Sequence, residues 1–112
     1  ISDLVEAQNN FDSAAYTKCF SETAIVFDEG KTHKGKVEIE RWIAHSNETY
    51  KSVMKPLAYD QAGDNAVLSA EVSGTFPGSP FVLKFHFEIR DELIQSLKVT
   101  GLVRLPLQVF EE

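Results

Sequence analysis

Residues 81–90, Phe-Val-Leu-Lys-Phe-His-Phe-Glu-Ile-Arg, constrain the fold more than any other stretch. Phe81, Leu83, Phe85, Phe87 and Ile89 alternate with Val82, Lys84, His86, Glu88 and Arg90. Side chains on a strand point to opposite faces in turn, so this pattern predicts a strand with one covered face and one face toward water. A helix would scatter the same aromatics around its axis. The partner layer has to come from elsewhere in the chain, and the N-terminal half supplies it.

Ile1, Leu4, Val5 and Gln8 recur at helical spacing, predicting a helix over 2–10. Asp12 is placed to accept from the free amides of a second short helix over 13–20, where Tyr16, Cys19 and Phe20 share a side. An apolar strand over 23–28 follows, ending at Asp28, and then a polar turn around Gly30. The third helix, 36–50, puts Ile39, Trp42, Ile43, Ser46 and Tyr50 on one stripe. Glu38 and Glu40 stand in its first turn, where the helix dipole favours negative charge.

From residue 50 the period becomes two. Strands are predicted over 52–61, 66–76, 81–90 and 93–103, with turns at Ala62–Asn65 and Pro77–Pro80. Helices first and a meander after them give an α+β domain, three N-terminal helices packed on a curved antiparallel sheet. The tail 102–112, interrupted by Pro106, has no assigned element.

One domain, 1–112, is what 112 residues allow, with roughly 65% of the extended-chain surface buried. The net charge of −6 opposes binding to nucleic-acid phosphates, so no nucleic-acid partner is expected. No run approaches the ~18 apolar residues of a membrane span, and no signal peptide reads from these residues. The single cysteine, Cys19, forbids an internal disulfide and suits a reducing, cytoplasmic setting. It is expected to be a small buried apolar residue. His33, His45 and His86 match no metal-ligand spacing, so neither metal nor cofactor is expected. His33 is expected in solvent within a Lys-rich loop, and His86 on the polar face of its strand.

Two layers of this kind enclose a cone, a natural place for a small, largely apolar ligand. Asp28, at the end of a buried strand, is the candidate catalytic residue: a carboxylate in an apolar cleft can move protons. The competing role is a turn cap, with the carboxylate bonding amides around Gly30. Tyr16, Trp42, Leu68 and Phe85 are the candidate ligand-lining walls, with core packing as their alternative.

The run Phe-Ser-Glu-Thr-Ala-Ile-Val-Phe-Asp (20–28), then Thr-His-Lys-Gly-Lys-Val-Glu-Ile-Glu-Arg-Trp-Ile (32–43), then four strands, resembles the SnoaL-like branch of the NTF2-like superfamily. Within that branch, Val-Ser-Gly-Thr-Phe-Pro-Gly-Ser-Pro (72–80) followed by Leu-Lys-Phe-His-Phe (83–87) resembles a group of small proteins of unassigned activity, and the likeness spans residues 5–102. It implies the cone fold, a polyketide cyclase-like or isomerase-like pocket, and homodimerisation through the outer sheet face. Asp28 falls where the ketosteroid isomerase family has its general base. That family also needs a tyrosine on the first helix and a second acid on a later strand. Leu4 stands at the first position and no carboxylate lies on the apolar face of 81–90, so ketosteroid isomerase activity itself is not implied. A non-catalytic homodimeric binding domain with a filled interior is the alternative.

Overall fold

The computed structural model describes residues 1–28 and 30–101. Its elements run α1 (Ser2–Asn9), α2 (Ser13–Lys18), β1 (Phe20–Asp28), β2 (Lys31–Lys34), α3 (Gly35–Tyr50), β3 (Val53–Ala62), β4 (Asn65–Ser73), β5 (Phe81–Arg90) and β6 (Leu93–Gly101). The six strands form one curved sheet in the order β2-β1-β6-β5-β4-β3, and the helices cover one of its faces. The architecture is α+β, as the change of period indicated.

β5 occupies the span its alternation predicted. Phe85 and Phe87 are buried on the covered face, while Lys84, His86 and Glu88 remain partly exposed. Facing them on neighbouring strands, Leu68 pairs with Phe85 and Leu97 with Phe87. The core beneath the helices includes Leu4, Phe20, Ala24, Val26, Ile39, Leu68 and Leu97, all at 0–2% exposure. Burying one such large side chain stabilises by about 1.5–3 kcal/mol, so this face carries most of the driving force for folding.

Capping follows the sequence closely. The Asp12 carboxylate accepts from the Ala15 amide at 3.0 Å and starts α2. Glu38 Oε1 accepts from the Lys34 amide at 2.7 Å, satisfying a donor at the head of α3. At the other end, Lys51 takes the left-handed conformation that ends the helix.

Several expectations need correcting. The sheet is not wholly antiparallel, because β1 runs parallel to β6. This parallel pair follows from the order of elements: β1 precedes α3 and joins the meander's last strand across the sheet. The second helix stops at Lys18 instead of residue 20. Phe20 is drawn into β1 by its register with Ile94, and the Ile94 amide donates to the Cys19 carbonyl at 2.9 Å. Finally, the polar stretch after Gly30 is not a plain turn. Lys31–Lys34 form β2, pairing Asp28 with Lys31 and Val26 with His33. An exposed edge strand needs no apolar face, so β2 carried no alternation to betray it.

The fourth strand ends at Ser73, three residues earlier than its pattern suggested. There the Thr75 amide turns to the Tyr50 carbonyl (2.7 Å), which frees Phe76 from the sheet. Residues 102–112, including the last two residues of the strand predicted over 93–103, lie outside the described residues. No helix among the described residues is long and apolar enough to cross a membrane.

Candidate functional site

The wide end of the cone holds a cavity of about 510 Å³ between α3 and the covered face of the sheet. Its aromatic and aliphatic walls include Phe81, Leu83 and Phe85 of β5, Val99 of β6, Ile43 of α3, and Phe76. Exposed Pro77 and Gly101 belong to the lining too, so the cavity reaches the surface there. At the rim, Phe76 stacks on Phe81 (centroids 5.5 Å, planes 5° apart) and meets Tyr50 edge-on at 5.9 Å.

Asp28 comes to this cavity because β1 ends beside α3. Its carboxylate Oδ2 accepts from the Trp42 indole Nε1–H at 3.1 Å. A hydrogen bond to an ionised acceptor is stronger than a neutral one, and it fixes the carboxylate in orientation. Trp42 is itself held on two sides. The His33 ring of β2 stacks on it at 5.6 Å, and Tyr16 of α2 meets it edge-on at 6.1 Å. Tyr16 also packs on Phe20 at 5.6 Å. Three separate elements therefore converge on the residue that holds Asp28.

Tyr16 is 2% exposed and lines the cavity. Its hydroxyl pKa is pushed above the ordinary 10.0, first by burial and then by the negative charges of Asp28 and Cys19. The phenol therefore stays protonated at physiological pH and keeps its donor. A fixed carboxylate and a neutral hydroxyl share an otherwise largely apolar wall. This pairing of an acceptor for protons with a donor suits proton movement on carbon.

Of the residues singled out from sequence, Asp28, Tyr16, Trp42 and Phe85 meet at the cavity. Leu68 does not line it. At 2% exposure it lies in the solid core, paired with Phe85 and Tyr59 across the sheet. Alternation gave Leu68 the correct face but could not show that the cavity wall at this level is formed by Phe85 on β5 and not by its partner on β4. His33 is half-buried against Trp42 rather than solvated, a consequence of the unforeseen β2. Leu4 is fully buried and is not part of the lining. Sequence reasoning left out Gln8, Phe76, Phe81 and Leu83 as lining residues. Phe81 and Leu83 share the apolar face of β5, and Gln8 is a polar residue on the apolar stripe of α1, so both signals were present.

Elsewhere, the Cys19 thiol is half-buried and its pKa is raised, chiefly by burial, which disfavours the nucleophilic thiolate. His86 shares a 3.0 Å hydrogen bond with Thr100 on the outer sheet face. No group of three or more His, Cys, Asp or Glu among the described residues is arranged to hold a metal ion.

A six-stranded cone with a helix-lined mouth and an aspartate at the end of β1 defines a fold class with many solved members. A candidate polyketide cyclase from Sinorhizobium meliloti is similar at 38% identity, covering 86% of this chain and 88% of that one, with a TM-score of 0.82. A protein from Catenulispora acidiphila with a ketosteroid isomerase-like fold, in complex with trimethylamine, matches at 21% identity and TM-score 0.80, covering 88% and 82%. A candidate polyketide cyclase from Xanthomonas campestris matches at 17% identity and TM-score 0.78, covering 88% and 84%. The chain belongs to the SnoaL-like, polyketide cyclase-like branch of the NTF2-like superfamily. No protein-family model and no curated protein matches it.

Proposed function

We propose that this protein binds a small, largely apolar carbonyl compound in the cavity, and that Asp28 exchanges a proton with it in an isomerase- or cyclase-like step. The observation that carries this reading is the Asp28 carboxylate, fixed by the Trp42 indole at the wall of an aromatic cavity. The carboxylate takes a proton from the carbon next to the carbonyl, and the electron pair of that C–H bond moves onto the carbonyl oxygen. Tyr16, kept neutral by burial, supplies a hydrogen bond to the enolate oxygen. Returning the proton to a different carbon isomerises the compound; attack of the enolate carbon on a second carbonyl closes a ring, and the proton held by Asp28 goes to the alkoxide oxygen that forms. The relatives named as candidate cyclases support this class of chemistry.

The test uses 2-tetralone in D₂O, with α-proton exchange followed by NMR. Wild-type protein should accelerate exchange, and Asp28→Asn should reduce the acceleration by about 10²–10⁴-fold, the range for one acid–base group. Equal rates for the two proteins would remove Asp28 from the chemistry. Binding of the ketone without any acceleration would favour the non-catalytic domain.

A second reading concerns the outer sheet face, where Lys84, Glu71, Glu88 and the His86–Thr100 pair lie partly exposed on adjacent strands. Opposite charges on a self-complementary patch can fix the register of two copies, and we propose a homodimer there. Sedimentation should show a dimer weakened by Lys84→Glu. A monomer at high micromolar concentration would contradict it.

A further inference from the structure

Gln8 is the one polar side chain of α1 that reaches the cavity, and it is held differently from the other lining residues. It is 7% exposed. Its Nε2 donates to the Asn47 Oδ1 at 3.1 Å and to the Ser52 carbonyl at 2.7 Å. Both hydrogens of the amide are thereby used. Reversing the amide would turn its oxygen toward two other acceptors, so the orientation is determined by the neighbours. The Gln8 Oε1 remains, and among the described residues no donor meets it. Asn47 does the holding at some cost, since its own Nδ2 is buried without a partner. A buried network with one orphaned donor is an inefficient way to stabilise a helix junction. It is an effective way to present one carbonyl oxygen at a chosen angle.

We propose that Gln8 is the specificity residue of the cavity, and that its Oε1 accepts from a hydroxyl or N–H on a flat ligand. The inference rests on the cavity reading above and adds a requirement to it. The ligand carries a hydrogen-bond donor as well as its apolar body and the carbonyl. The aromatic side chains Trp42, Phe76, Phe81 and Phe85 in the lining suit a flat, unsaturated frame. A site built around a fixed acceptor rejects an analogue lacking the donor, because the acceptor is then left dry and unpaired.

The experiment compares 2-naphthol with 2-methoxynaphthalene, which keeps the ring system and loses the donor. Binding is read from the fluorescence of Trp42, the chain's single tryptophan. Wild-type protein should bind naphthol about three- to tenfold more tightly, the value of one hydrogen bond. Gln8→Met keeps the length and apolar contacts of the side chain, and should erase that preference with little change in affinity for the ether. The preference surviving intact in Gln8→Met would overturn the assignment while leaving the cavity reading in place. Failure of both probes to bind wild-type protein would overturn both. As a measurement independent of how well the variant folds, the side-chain ¹³Cδ resonance of Gln8 in wild-type protein should shift with naphthol and not with the ether. Equal shifts with both probes would contradict the proposal.

Discussion

β5 divides into two regions that share one strand, one face and one residue type. At Phe87 the covered face is solid: the ring is 3% exposed and packs in the same core as Leu97 and Ala66, its neighbours across the sheet. From Phe85 through Leu83 to Phe81 the same face opens onto the cavity. Folding free energy is concentrated at the closed end of the cone, and the potential for binding at the open end. Asp28, Tyr16 and Gln8 belong to the cavity wall, while the buried Thr17 and Asn47 lie outside it. The close-packed apolar groups supply the stability that such buried polar groups cost.

The sharpest way to break this comparison is to truncate one residue on each side of the divide. Phe87→Ala should destabilise by about 3–5 kcal/mol, because it leaves a void that a packed core cannot close. Leu83→Ala should cost about 1 kcal/mol, since its side chain already borders open space and no new enclosed void forms. Chemical denaturation of both variants checks this. Equal losses would mean that the open end is as solid as the closed one.

The next effect concerns Tyr16 and pH. Its folded pKa lies above the unfolded value of 10.0, so above pH 10 the unfolded chain releases a proton that the folded chain retains. Stability from the neutral buried phenol is fully present below pH 10 and is lost as pH rises toward the folded pKa. The slope is about 1.4 kcal/mol per pH unit for this group. Tyr16→Phe should show a flatter alkaline decline in denaturation midpoints. Parallel declines would show that the hydroxyl is not buried as described.

A smaller effect separates the two roles considered for Asp28. Asp28→Leu leaves the Trp42 indole without its acceptor and should cost about 1–2 kcal/mol. Asp28→Asn keeps an acceptor oxygen and should change stability by less than about 0.5 kcal/mol while removing the proton exchange. A large loss of stability in Asp28→Asn would favour the turn-cap role. A further effect is at the rim, where Gly78 has φ +85° and an added Cβ would sit 2.7 Å from the Phe81 ring. Gly78→Ala should cost about 1 kcal/mol and weaken naphthol binding by shifting the rim ring. Unchanged binding would show that the Phe76–Phe81 pair does not shape the mouth.

Much of this division could be read from residue order. The alternation of 81–90 gave the covered face, and the stripe Ile39, Trp42, Ile43, Ser46 and Tyr50 gave the helix that covers it. The position of Asp28 at a strand end, one turn from a tryptophan-bearing helix, gave the cavity its acid. Position across the sheet was not legible, which is why Leu68 was expected at the wall and lies in the solid core beside Phe85. Period identifies a face but does not say which strand borders the open space. Nor was β2 visible, since an edge strand of Lys, Thr, His and Lys has no buried side to mark it. With β2 went the stacking of His33 on Trp42. Gln8 was read as part of a helical stripe, and its role needed Asn47 and Ser52, both about forty residues away in sequence.

The division into a solid end and an open end is tested most directly by locating a ligand. Crystals grown with 6-bromo-2-naphthol allow the bromine to be found by its anomalous scattering. A single site is expected between Trp42 and Phe81, with the hydroxyl on Gln8 Oε1 and the Asp28–Trp42 hydrogen bond intact. Bromine on the outer sheet face, with Phe76 and Phe81 filling the interior, would contradict it.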